Sequence, residues 1–227
     1  MDFIGGESGI DARLLLFFNS LNCLVADRFM VIMTAKLTWL PFYIALVFYI
    51  VYTKGWRKGL TWIAVLCITV ILADQFCSHL IRPYVESLRP TDPRNPIFPL
   101  VHLAEGYSRQ GYGFPSCHAA NSMVLAIIIF YIFRKRNVRI MIVCWALLHI
   151  YTRLYLGVHY PSDILAGALV GTCFAIIIST LADKFLLPHI PSFSEREKGA
   201  DKKIAAPFDM SYIPISVFIL TVIAGFL

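Results

Sequence analysis

Apolar residues run without a two-residue or sharp 3.6-residue alternation over residues 29–52, 60–81, 118–133, 140–156 and 164–187, with short polar breaks between. A helix needs about 20 such residues to cross about 30 Å of hydrocarbon. Each stretch is therefore expected to be a spanning helix, the third and fourth being short and carrying polar residues at their ends. A sixth apolar run, 212–227, is expected as a further span. Ahead of these, residues 10–25 mix Leu14, Leu15, Leu16, Phe17 and Phe18 with Asn19, Ser20 and Asn22, a pattern suited to a helix lying along the membrane interface. The expectation is an all-α integral membrane protein of about six transmembrane helices, one domain over 1–227. Within it, 1–27 forms the interfacial helix region, 82–117 an outer loop and 188–211 a cytoplasmic loop. No internal repeat is visible.

Composition sharpens this picture. Hydrophobic residues make up 58% of the 227 and charged ones 15%, against about 25% charged in soluble domains; the mean hydropathy is +0.69. A water-soluble domain is excluded. The formal charge of +6 does not point to nucleic acid, because the basic residues sit in short loops. Lys54, Arg57 and Lys58, then Arg134, Lys135, Arg136 and Arg139, then Arg196, Lys198, Lys202 and Lys203 follow the first, third and fifth runs. Loops rich in Lys and Arg stay in the cytoplasm, so the loops around 82–117 and 153–163 share the opposite face. Asp2, Glu7 and Asp11 precede the first basic residue, Arg13. That order lacks the basic start of a cleaved signal, and the first span is expected to direct insertion. The six cysteines are scattered without ligand spacing, mostly in apolar runs, and are expected as thiols.

The two outer loops hold the chemistry. One opens with Arg82-Pro-Tyr-Val-Glu-Ser-Leu-Arg89-Pro90 and closes with Pro115-Ser116-Cys117-His118; the other reads Thr152-Arg153-Leu-Tyr-Leu-Gly-Val-His159-Tyr-Pro-Ser-Asp163. Three arginines, two histidines, a serine and a carboxylate at one membrane face are costly unless used. Arginine's planar fork grips phosphate oxygens and stays charged. Ser116 is placed to cap the third helix, whose free N–H groups favour an anion. No acidic cluster suits Mg²⁺ and no His/Cys set suits Zn²⁺, so no metal or cofactor is expected. A neutral histidine attacking phosphorus needs a carboxylate to fix its tautomer, and a second histidine can serve the leaving oxygen and then water. Asp163, four residues after His159, is the natural orienting carboxylate, and His118 the natural acid and base.

These blocks resemble the signature of the type 2 phosphatidic acid phosphatase superfamily, which includes lipid phosphate phosphatases and is related to vanadium haloperoxidases: KxxxxxxRP, PSGH and SRxxxxxHxxxD. Arg82 stands at the lysine, Arg89 and Pro90 at RP, Pro115, Ser116 and His118 in PSGH, and Arg153, His159 and Asp163 in the last block. The resemblance implies a phosphohistidine on His159, oriented by Asp163, with His118 as general acid. It gives phosphate binding to Arg82, Arg89, Arg153, Ser116 and the Cys117 position. It also implies hydrolysis of a phosphorylated lipid held in the bilayer, at the periplasmic face of a bacterial inner membrane. Lipid A, undecaprenyl diphosphate and phosphatidyl phosphates all remain open as substrates. So do a phosphotransferase using the same intermediate and a phosphate- or lipid-binding transporter.

Three positions depart from the pattern. Arg82 keeps the charge of lysine with a wider contact, Thr152 replaces Ser conservatively, and Cys117 puts a side chain where glycine allows the closest backbone approach. Among residues outside the blocks, His79, His102 and His149 are expected to make local hydrogen bonds, Arg94 and Arg109 to be solvated loop charges, Asp74 to hydrogen-bond within the bundle and Lys36 to snorkel from a span end.

Overall fold

The computed structural model describes residues 9–190 and 209–226; the basic residues Arg196 to Lys203 and the first eight residues lie outside them. The described chain is helical apart from its loops and one isolated bridge, Leu88 to Tyr112. The helices are α1 (Ile10–Ser20), α2 (Leu24–Thr34), α3 (Leu40–Lys54), α4 (Trp56–Gln75), α5 (Arg82–Val85), α6 (Cys117–Ile132), α7 (Arg136–Tyr155), α8 (Pro161–Leu181) and α9 (Tyr212–Ala224). A π-helical turn, Phe76–Ile81, fuses α4 to α5, so that one apolar helix runs from Trp56 to Val85.

Against the six expected spans, four helical stretches among the described residues are long and apolar enough to cross a bilayer: Lys36–Lys54, Trp56–Val85, Arg136–Tyr155 and Pro161–His189. The bent pair α1–α2 would make a fifth if it formed one span. Helices α6 and α9 are shorter, and the 13 residues of α9 rise only about 20 Å.

Two expected boundaries move. The helix expected over 10–25 is two helices meeting at 111°. Ser20 Oγ donates to Phe17 O and Asn22 Nδ2 to Asn19 O, so short polar side chains take carbonyls that the next helical turn would have used. The span expected over 29–52 breaks at Ala35. Trp39 Nε1 donates to Met33 O at 2.7 Å and Thr38 Oγ1 to Ile32 O at 2.8 Å, while Pro41 has no N–H to offer Leu37. A 3₁₀ turn, Lys36–Trp39, bridges the gap.

Helix α6 packs closely along α8. A Cβ on Gly167 would lie 2.2 Å from Ser116 O, and one on Gly171 would lie 2.1 Å from Ala120 O; Ala175, one turn on, is fully buried. Small residues four apart let two backbones touch. This stripe sets the start of α6 directly against the start of α8. Trp39, Phe42, Trp145 and Phe218 stack beneath, where α3, α7 and α9 meet.

The N-terminal helices are tied to the loop-bearing end by a polar network. Asn19 Nδ2 donates to His102 O and Tyr155 O, and its Oδ1 accepts from His102 N. Asp27 accepts from Tyr155 Oη at 2.6 Å and pairs with His102 Nε2 at 2.8 Å. Asp11 accepts from the backbone and hydroxyl of Ser162 at the start of α8.

Candidate active site

The four helix ends that carry the sequence blocks converge. Arg82 begins α5, Cys117 and His118 begin α6, Arg153 lies in the last turn of α7, and Asp163 lies in the first turn of α8. All are at the opposite ends of these helices from Lys54, Arg57 and the basic segment Arg134 to Arg139.

The loop between α7 and α8 turns at Gly157, whose φ of 66° favours glycine, and then presents His159. Pro161 opens α8, where a missing N–H costs nothing. Asp163 Oδ2 accepts from Tyr160 N–H at 3.0 Å and lies 3.2 Å from His159 Nδ1. Arg89 Nη1 sits 2.8 Å from His159 Nε2 and also donates to Val158 O at 3.2 Å. A guanidinium only donates, so Nε2 is the acceptor here and Nδ1 carries the ring proton, which it donates to Asp163. Both His159 and Asp163 are 1% exposed.

The outer loop brings the second wall. Ser116 N–H donates to Asp163 O at 2.9 Å, and Ser116 Oγ accepts from Ala119 N–H at 3.5 Å, capping α6. Arg82 Nη2 donates to Pro115 O and to Cys117 Sγ, both at 3.1 Å. The side chain at the glycine position of the motif thus holds Arg82, and it reaches Asp74 O at 4.0 Å. Arg153 is buried, with Nε donating to Thr152 Oγ1 at 3.1 Å. Arg82 Nε and Arg153 Nη2 have no hydrogen-bond partner among the described residues, which leaves two guanidinium donors for an anion. His118 makes no side-chain hydrogen bond among the described residues. It lines a cavity of about 650 Å³ together with Arg82, Arg89, Cys117 and His159, and that cavity continues between α3 and α4 past Leu46, Ile50, Ile63 and Leu66.

The electrostatics suit a neutral nucleophile. Burial, then Arg89, Arg153 and Arg82, hold His159 well below the usual imidazole range. Burial, then Arg82, lowers Arg89 to about 10, leaving it charged at neutral pH. The unfolded chain would protonate His159 below about pH 6.5 whereas the folded chain does not, so this residue's stabilising effect is present above that pH and fades as pH falls. The acid limb of kcat/KM is expected well below pH 6.5; an inflection at the ordinary imidazole value would overturn the claim that its surroundings keep His159 neutral.

Every block residue reaches this region, and some neighbours were not anticipated. Gly113 brings the outer loop so near that a Cβ there would lie 3.0 Å from Asp163 Oδ2 and 3.1 Å from Arg89 Cγ. Its only sequence signal is its position two residues before Pro115. Asp74 accepts from Asn121 Nδ2 at 3.1 Å, as expected of a carboxylate inside the bundle. His79 and His102 make hydrogen bonds, His79 with its neighbour Ser78 and His102 across the fold with Asp27. His149 instead packs on Trp39 and Trp145, and its Nε2 has no partner among the described residues. Arg94 forks onto Asp92, with two bonds of 2.9 Å, and Arg109 lies over the Tyr107 ring.

Helices suited to span a membrane carry histidines, arginines and a carboxylate to one end of a cavity with partly apolar walls, and the relatives of this chain make it a membrane lipid phosphatase. The chain belongs to the PAP2 superfamily, whose family model matches residues 62–186. A Bacteroides thetaiotaomicron protein named Lipid A 4'-phosphatase is 46% identical over 164 residues, 72% of this chain and 73% of its own length. A Porphyromonas gingivalis protein of the same name is 32% identical over 163 residues, 71% of this chain and 68% of its own. The crystal structure of Aquifex aeolicus LpxE shares the fold, with a TM-score of 0.57 at 21% identity over 74% of this chain and 93% of that one.

Proposed function

We propose that this protein removes a phosphate from lipid A at the periplasmic face of a bacterial inner membrane, without a metal, through a phosphohistidine on His159. The observation that carries the mechanism is the position of the His159 ring. Asp163 accepts a hydrogen bond from its Nδ1–H, which fixes the tautomer, and Arg89 marks its Nε2 lone pair. An arriving phosphate draws Arg89, Arg82 and Arg153 onto its oxygens, and Nε2 attacks phosphorus. The N–P bond forms as the P–O bond to the sugar breaks, and His118 donates a proton to the departing oxygen. His118 then takes a proton from water, which attacks the phosphohistidine and releases inorganic phosphate. Arginines supply the positive charge that stabilises the transferring group. The names of the two relatives favour lipid A over the other substrates, and the location of the site opposite Lys54 and Arg134 to Arg139 supports the periplasmic orientation.

The test is phosphate release from lipid A, undecaprenyl diphosphate and phosphatidic acid by detergent-purified protein in EDTA. Wild type is expected to prefer lipid A. His118→Ala, lacking the group that activates water, is expected to accumulate an acid-labile, alkali-stable phosphoenzyme from an activated aryl phosphate, whose leaving group needs no proton. No phosphoenzyme, or activity abolished by EDTA, would overturn the mechanism.

A further inference from the structure

The catalytic cavity is not apolar all the way down from the phosphate-binding residues. Thr34, Lys36, Asp74, Ser78, Asn121 and His149 also line it. Thr34 Oγ1, Asn121 Oδ1 and His149 Nε2 are buried with no hydrogen-bond partner among the described residues. Such atoms cost about 1–3 kcal/mol each if left unsatisfied, and a bare hydrocarbon chain would leave them so. Lys36 sits at the break between α2 and α3, exposed, and among the described residues no side-chain ion pair or hydrogen bond involves it. It begins the Lys36–Lys54 span and lines the cavity, so its flexible stem can place the ammonium on a charged group held there.

The helices give the depth of this polar band. Helices α3 and α4 run antiparallel from the turn at Gly55. Lys36 precedes Lys54 by eighteen residues and Asp74 follows Trp56 by eighteen, so each stands about 27 Å from that turn. Arg82 lies eight residues beyond Asp74, about 12 Å further along the helix. The band is therefore separated from the phosphate-binding arginines by the reach of a saccharide headgroup, and the apolar floor begins below it.

We propose that Lys36 binds a second oxyanion on the substrate headgroup, with Thr34 and Asn121 hydrogen-bonding the sugar between, so that the enzyme selects a glycolipid carrying two phosphates over one carrying only the scissile phosphate. This rests on the reading of the substrate as lipid A. A polyprenyl diphosphate, whose two phosphates are adjacent, would not reach Lys36 from Arg82.

The test compares kcat/KM of the purified full-length protein on bisphosphorylated lipid A and on lipid A lacking the other phosphate, for wild type, Lys36→Met and Lys36→Arg. Wild type is expected to favour the bisphosphorylated form about tenfold, the effect of one charge-assisted contact. Lys36→Met brings the ratio to about one, and Lys36→Arg restores it. An unchanged ratio in Lys36→Met, or equal loss on both substrates as a merely structural lysine would give, overturns the role of Lys36 while leaving the lipid A reading intact. Wild type that cleaves phosphatidic acid but neither form of lipid A overturns that reading and the subsite with it.

Discussion

Replacing His159 by alanine is expected to lower kcat for phosphate release by at least about 10⁴-fold, the scale on which nucleophile removal acts in enzymes with a covalent intermediate. Among the groups lining the cavity, His159 has the orienting carboxylate against its ring. Asp163→Asn is expected to lose about 10³- to 10⁴-fold, because an amide can stabilise the wrong imidazole tautomer, with KM changed far less since the arginines remain. The loss is read as inorganic phosphate released under saturating lipid, with size-exclusion behaviour and thermal melting checked in parallel. A His159→Ala protein retaining more than about one hundredth of the wild-type rate would move the nucleophile elsewhere.

The second large effect is expected from a residue without chemistry. Gly171→Leu would push a side chain into the backbone of α6, since even a Cβ would lie 2.1 Å from Ala120 O and 2.7 Å from its carbonyl carbon. Backbone cannot rotate aside as a side chain can, so the helices must separate. The cost is expected to be about 3 kcal/mol or more, seen as a fall in Tm in detergent or as failure to accumulate. Activity goes with it, because the same contact line holds Ser116 against the start of α8. Gly171→Leu protein melting at the wild-type temperature would show that this crossing is not under tension.

The site was legible in the sequence to the extent that its geometry is local. His159, Tyr160, Pro161 and Asp163 fall within one turn before and one turn after a helix start, so their spacing alone brings ring and carboxylate together. Ser116 and His118 are likewise fixed by a single helix cap. Gly113 and Lys36 were not legible, because their roles depend on which distant segments pack against them. Lys36 stands in a run of apolar residues that reads as one span. The break there comes from the side chains of Thr38 and Trp39 turning back onto carbonyls, a choice made by surroundings rather than by composition. The 167–171 glycine pair could have been noticed as a small-residue spacing, though its partner helix could not. The break in the helix expected over 10–25 has a related cause: Asn19 serves distant backbone at His102 and Tyr155 rather than its own helix.

The widened turn at Phe76–Ile81 has a consequence for how this enzyme can change over evolutionary time. A π-helical turn accommodates an extra residue without lengthening the helix by a regular step. Each residue advances the facing direction by about 100°, so the azimuth of Arg82 depends on that surplus residue being kept. A single-codon deletion between 76 and 81 would leave an apolar helix and a reading frame intact, yet turn Arg82 away from Pro115 O and Cys117 Sγ. The length of this stretch is therefore constrained independently of which side chains it carries.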